Sequence, residues 1–142
     1  MKQFFLFIWQ LPQNLIGCLL WLISNYGSET VETYKGDKVK IHYSFLIKGS
    51  AVSLGNFIFL GRLYKNTKYE TQVKKTASHE HGHQFQSKKL GWLYLFIVGI
   101  PSAVRNVYDR IAHKNWNYYD RIQWYYGSFP EKQADKYGGV DR

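Results

Sequence analysis

The sequence predicts an α+β domain, and three stretches of it carry that expectation. Lys38 to Phe45 alternates apolar and polar residues, the period of a strand with one face buried. Thr67 to Leu90 sets chemistry-bearing side chains at helical spacing and runs into Gly91, a residue suited to a helix C-terminus. Phe4 to Ile23 is apolar with a narrow polar stripe, Gln3, Gln10, Gly17 and Ser24 recurring every seven positions. At 142 residues the chain is long enough to close one core and short for a two-lobed enzyme. The expected organisation is an apolar helix over 1–25 followed by one folded domain over 26–142.

Composition narrows the class of partner. Aromatic residues make up 18% of the chain, with twelve Tyr and five Trp, which suits a dense core or a membrane interface. A formal charge of +9 invites nucleic acid, anionic lipid or an acidic substrate. Arg62, Lys65, Lys68, Lys74 and Lys75 cluster with only Glu70 among them. No zinc-finger spacing or nucleic-acid module accompanies them, so they read as a solvated basic face and no specific nucleic acid is expected. The single Cys18 excludes an internal disulfide.

In chain order, Phe4, Ile8, Leu11, Leu15, Leu19 and Leu22 lie opposite the polar stripe of the first helix. Three readings of this helix stand together: membrane association, a signal peptide, and burial under a sheet. Pro12, Gln13 and Asn14 interrupt the apolar run where a spanning helix is continuous, and no A-x-A-like cleavage site follows. Trp9 and Trp21 suit an interfacial anchor and a core equally. Membrane association is the expected localisation, with a soluble cytoplasmic or an exported protein as alternatives. Asn25 to Gly36 is polar and turn-rich and reads as a linker. The strand Lys38 to Phe45 turns Val39, Ile41, Tyr43 and Phe45 to one side. Short apolar runs at Ala51 to Leu54 and Phe57 to Leu60, separated by Gly55-Asn56, complete a small antiparallel meander.

The helix over Thr67 to Leu90 contains His79-Glu80-His81-Gly82-His83. In H-E-x-x-H the two histidines share a helix face, about 5–6 Å apart at Cβ, and grip one metal with the Glu beside it as a base. Zinc accepts neutral imidazole and needs three protein ligands when a fourth position is kept for water. His81 points away from the pair and is expected in a supporting or solvent-facing role. Gly82 lowers helix propensity by about 1 kcal/mol relative to Ala, so a strand or loop backbone is expected to pass close to it.

A third ligand must come from elsewhere. The metzincin continuation is excluded, because Gln86 and Lys89 stand at its Gly and His positions. Downstream, Glu131-Lys132-Gln133-Ala134-Asp135 spells E-x-x-A-D. Together with H-E-x-x-H this resembles the gluzincins, the thermolysin-like zinc metallopeptidases. The resemblance implies His79, His83 and Glu131 as metal ligands, Glu80 as general base and Asp135 as the carboxylate orienting His79. The orienting role also has its own chemistry, since metal-bound histidines usually pass their other N–H to a carboxylate. The chain is similar as well to small uncharacterised bacterial proteins and toxin-borne domains that carry H-E-x-G-H-x-x-Q-S, here His79 to Ser87, followed by G-x-P-S, here Gly99 to Ser102.

The resemblance implies a minimal zincin-like domain: a small antiparallel sheet, an active-site helix and a second ligand-bearing helix. In such peptidases an edge strand upstream of the metal helix pairs with an extended peptide, a part open to Ala51 to Leu54 or Phe57 to Leu60. The expected function is a zinc metallopeptidase acting on a peptide or protein. The alternative is a membrane-associated interaction protein with a zincin-like fold and no catalysis. Glu131 has a second reading too: Ser128-Phe129-Pro130-Glu131 is a capping box, which would keep this carboxylate at its own helix end. Between the motifs, Trp92 to Val104 is apolar but broken by Gly99 and Pro101, either a core helix or a hairpin dipping into lipid, and Val104 to His113 reads as a helix. Trp116 to Tyr126 is crowded with Tyr118, Tyr119, Tyr125 and Tyr126, any of which, or His113, could donate to an oxyanion.

Overall fold

A computed structural model describes residues 1–65 and 70–142 of the chain. Its fold is α+β, a four-stranded sheet with a helix on each face. The strands are β1 (Asn25–Glu32), β2 (Lys38–Ser44), β3 (Ala51–Leu54) and β4 (Phe57–Gly61), in the order β1-β2-β4-β3. The alternation of β2 works on both sides. Val39, Ile41 and Tyr43 pack with Ile58 and Leu60 against Val73 and Ala77 of the long helix α4 (Glu70–Leu90). His42 and Ser44, on the face opposite Val39, Ile41 and Tyr43, lie under helix α2 (Leu11–Ser24), so both faces of this strand are covered there: His42 meets Trp21 edge-on, and Ser44 Oγ donates to Ser24 Oγ at 2.7 Å. Phe45 falls beyond the strand and is exposed.

The sheet corrects two expectations. Asn25–Glu32, read as a linker, is a strand paired antiparallel with β2 from Asn25↔Ser44 to Glu32↔Lys38. Its side chains are polar because it is an edge strand, held mainly by backbone bonds and by contacts such as Tyr43 Oη donating to Glu29 at 2.5 Å. Nor is the sheet an antiparallel meander. β4 lies between β2 and β3 and runs parallel to β2. Residues 47–50 carry the chain across the end of β4, where Gly61, Arg62 and Leu63 donate to the carbonyls of Ser50, Ile47 and Lys48. A Cβ at Gly61 would collide with the Lys48 carbonyl, so the crossing depends on glycine there.

The apolar N-terminal stretch is two helices. α1 (Lys2–Trp9) and α2 meet at Gln10 with an 89° bend, and no single helix among the described residues is long and apolar enough to cross a membrane. The short α3 (Arg62–Lys65) follows β4. The predicted start of the metal helix at Thr67, with Lys68 of the basic cluster, lies outside the described residues. Its end is as predicted, with Gly91 at φ +54°. A 3-10 turn (Gly91–Leu93) and a π-helical stretch (Leu95–Gly99) lead into α5 (Ile100–Ala112), α6 (Tyr118–Tyr126) and α7 (Glu131–Gly138).

α7 lies on α4 with the backbones in close approach. A Cβ at Gly82 would strike the carbonyl of Ala134, and one at Gly138 would strike the carbonyl of Ser78. The backbone that passes over Gly82 therefore belongs to a helix and not to a strand or loop. This pairing of glycines brings Glu131 and Asp135 over the histidines of α4.

Candidate metal centre

α4 presents His79, Glu80 and His83, and α7 presents Glu131 and Asp135, all at most 7% exposed. One ligand atom from each of His79, His83 and Glu131 falls within 4.8 Å of the others, and this buried group could bind a metal ion. Glu131 Oε2 stands 3.0 Å from His79 Nε2 and 3.2 Å from His83 Nε2.

The surrounding hydrogen bonds fix what those nitrogens offer. Asp135 Oδ1 is an acceptor at 2.7 Å from His79 Nδ1, so His79 donates from Nδ1. Gln86 donates from Nε2 to the Pro130 carbonyl at 3.0 Å and to Gln133 Oε1 at 2.9 Å, which orients its amide. Its Oε1 therefore accepts from His83 Nδ1 at 2.7 Å. Both imidazoles thus spend Nδ1 on an orienting partner and turn Nε2 toward Glu131, the tautomer a metal requires. On the other carboxylate oxygen, Glu131 Oε1 accepts from Ser102 Oγ of α5.

The capping-box reading of Glu131 fails. Pro130 stands at the N-cap of α7 with no side-chain cap, and Glu131 reaches across to α4 and α5. His81 does stay out of the group, but it is buried: Nδ1 meets Gln84 Oε1 at 2.9 Å and Nε2 lies 3.4 Å from Asp37.

Charge is divided unevenly here. Burial of the His79 ring works against its cation, yet the hydrogen bonds to Asp135 and Glu131 outweigh it and push its pKa up to about 9. Burial pushes the Glu131 carboxyl up, but His79 and His83 overcome that and hold it well below the usual carboxylate range. For Glu80 burial wins over the pull of His83 and His79, and its pKa is raised. Glu80 Oε2 is buried and has no hydrogen-bond partner among the described residues. An orphaned carboxylate oxygen next to a His-His-Glu group fits a site that takes an ion and a water, since such a group is costly to bury alone.

Of the tyrosines singled out, two border the ligands. Tyr126 stands edge-on to His79 at 5.2 Å between ring centroids, and Tyr125 hydrogen-bonds with Ser102 and Asn106. Burial raises both hydroxyl pKa values, so both keep their protons. Tyr118 and Tyr119 are exposed, and His113 pairs with Asp109 at 3.2 Å. Of the two candidate edge strands, β3 is an edge of the sheet and β4 is interior.

Three contributors escaped the sequence reading of roles. Gln86 and Ser102 sat inside the quoted H-E-x-G-H-x-x-Q-S and G-x-P-S patterns, and Gln86 at three residues after His83 is spaced to reach it along the helix. Arg142 carried no local signal: its Nε donates to Asp135 Oδ2 at 2.8 Å while its guanidinium lies 3.4 Å over the Tyr126 ring. No protein-family model, curated protein or solved structure matches the chain.

Proposed function

We propose that the protein is a zinc metallopeptidase of gluzincin-like type, hydrolysing peptide bonds with Glu80 as general base. The observation that carries this reading is the orphaned, buried Glu80 carboxylate beside two histidines that both turn Nε2 to the same carboxylate oxygen. Zinc suits this borderline N₂O donor set, with His79, His83 and Glu131 as its ligands. A bound zinc ion supplies Lewis acidity to the scissile carbonyl and makes a water acidic near neutral pH. Glu80, its pKa raised by burial, takes the proton of the attacking water as the new C–O bond forms. It then gives that proton to the amine nitrogen as the C–N bond breaks. Asp135 and Gln86 hold the two imidazoles in the tautomer the ion needs. Tyr125 and Tyr126 retain hydroxyl protons beside the ligands and are the candidates to donate to the oxyanion. β3, the edge strand that contacts α4, is the strand to which an extended peptide could add, beside a Ser53 carbonyl that already accepts from Tyr94 Oη at 3.2 Å.

The burial of every ligand favours a second reading, a membrane-associated interaction protein with a zincin-like fold whose metal is structural. Glu80→Gln separates the two. Under the peptidase reading, the variant keeps stoichiometric zinc by elemental analysis and loses cleavage of an unbiased peptide library by at least about a hundredfold. Full activity in the variant, or loss of its zinc, overturns the mechanism. Zinc-loaded wild type that cleaves nothing in the library supports the structural-metal reading.

A further inference from the structure

The α1–α2 elbow is built inside out. A surface helix of a water-soluble domain turns its polar side to solvent and its apolar side to the core. Here Gln10, Gln13, Asn14 and Ser24 are fully buried. Ser87 Oγ donates to Gln10 Oε1 at 2.6 Å and accepts from Gln13 Nε2 at 3.0 Å, and Asn14 Oδ1 accepts from the Asn56 amide at 2.8 Å. On the opposite side Phe4, Phe5, Leu15, Leu19, Leu22 and Ile23 are between 52% and 71% exposed.

The bend itself leaves little backbone for water to satisfy. Around the break at Gln10, the Phe7 carbonyl accepts from Asn14 Nδ2 at 3.1 Å and the Ile8 carbonyl from Trp92 Nε1 at 2.9 Å, while the Leu6 carbonyl keeps its helical bond from the Gln10 amide. Satisfying freed carbonyls from side chains is what a helix break needs where water is scarce. The Trp92 bond also joins the elbow to a second apolar surface, on which Phe96, Ile100, Val104, Val107 and Ile111 are exposed. A monomer in water rarely leaves two such apolar faces uncovered.

Two occupants compete, a second copy and a bilayer, and charge decides between them. Lys2 and Arg110 are exposed on these elements and Lys114 just past the second, with Lys88 exposed in the last turn of α4 ahead of it, in a chain of formal charge +9. Two such faces repel each other, whereas anionic headgroups neutralise them. Length sets the depth. At about 1.5 Å per residue the 14 residues of α2 reach roughly 21 Å, short of the roughly 30 Å hydrocarbon core, and the 89° bend prevents α1 from extending it. We propose that the α1–α2 elbow and the 92–111 segment seat the protein in one leaflet of an anionic bilayer without crossing it. This inference stands independently of the peptidase reading.

Flotation of the full chain with preformed vesicles tests it. Wild type is expected to float with phosphatidylcholine vesicles containing phosphatidylglycerol, and about tenfold less with phosphatidylcholine alone. Leu15→Glu, Leu19→Glu and Leu22→Glu together should cut flotation by about tenfold or more, with circular dichroism and zinc content unchanged. For depth, Lys2→Cys and Glu32→Cys, each in a Cys18→Ser background, bracket the elbow. Both thiols should react with a membrane-impermeant maleimide added outside the vesicles, a readout that does not depend on the glutamate variant folding. Protection of one thiol overturns the one-leaflet seating. A monomer that stays wholly in the soluble fraction, or a dimer in lipid-free buffer that does not float, overturns the lipid assignment.

Discussion

Two histidines in this protein are built into nearly the same chain of contacts and arrive at different chemistry. His79 Nδ1 meets Asp135 Oδ1 at 2.7 Å, and Arg142 binds the other Asp135 oxygen. His113 Nδ1 meets Asp109 Oδ1 at 3.2 Å, and Arg121 binds the other Asp109 oxygen with Nε at 3.1 Å and Nη2 at 2.5 Å. Each ring also has an aromatic neighbour, Tyr126 edge-on for His79 and Trp116 stacked at 3.8 Å for His113. The divergence is at the far nitrogen. His79 Nε2 faces Glu131 with His83 alongside, whereas among the described residues Asp109 is the sole ion-pair partner of His113. A His-Asp-Arg chain orients a ring and braces two helices; what stands at Nε2 decides whether the ring could serve a metal ion.

Exchange of the two histidines gives the largest contrast. His79→Ala should lower zinc affinity by more than about a hundredfold and erase the thermal stabilisation by added zinc, because it removes one of the three proposed ligands. His113→Ala should leave zinc affinity unchanged and cost about 1–3 kcal/mol in chemical denaturation, through lost stacking on Trp116 and the lost bond to Asp109, which keeps its pair with Arg121. Equal loss of zinc in both variants would break the comparison. The carboxylates come next. Asp135→Asn is expected to weaken zinc roughly 10–100-fold in a chelator competition, since it removes the acceptor that sets the His79 tautomer. Asp109→Asn should not move it.

Much of this centre was legible because its signals are local. His79, Glu80 and His83 follow from the helix period alone, and Glu131 and Asp135 sit one turn apart on a second helix. Ala134 and Gly82 were visible as letters, but that each matters to the other depends on two helix backbones meeting, which no local pattern encodes. The same limit explains β1: its polar residues carry no burial signal, and its strand state comes from pairing with β2. It explains the parallel β2–β4 pairing as well, which rests on residues 47–50 crossing at Gly61. In the N-terminal stretch, the seven-residue polar spacing was read along one straight helix. The 89° bend is fixed by Gln10, Gln13 and Asn14 docking on Ser87 and Asn56, partners far away in sequence.

The far nitrogen also leaves a mark on pH dependence. In the metal-free protein the His79 pKa is raised from 6.5 to about 9, so the folded state holds a proton that the unfolded state releases above pH 6.5. Stability from this group is therefore complete below pH 6.5 and is lost as pH rises through about 9. Zinc binding needs that proton gone, so stabilisation by zinc should grow over the same interval. Denaturant melts of metal-free and zinc-loaded protein across this range should diverge. In Asp135→Asn the metal-free decline should shrink, and an undiminished decline would place the proton elsewhere.

The smallest effect is expected at the arginines, one contact further out. Arg142→Gln removes a charge-assisted bond to Asp135 and the stacking on Tyr126, but leaves the His79–Asp135 bond intact. Zinc affinity should fall by less than about tenfold, below the loss in Asp135→Asn. Arg142→Lys should recover part of it, because Lys keeps the charge and loses the planar fork that stacks. Arg121→Gln, at the equivalent place beside Asp109, should leave zinc affinity as in wild type. If Arg142→Gln matched Asp135→Asn, the guanidinium would be acting on the site directly and not through the carboxylate, and the two His-Asp-Arg chains would differ at all three members instead of at the far nitrogen.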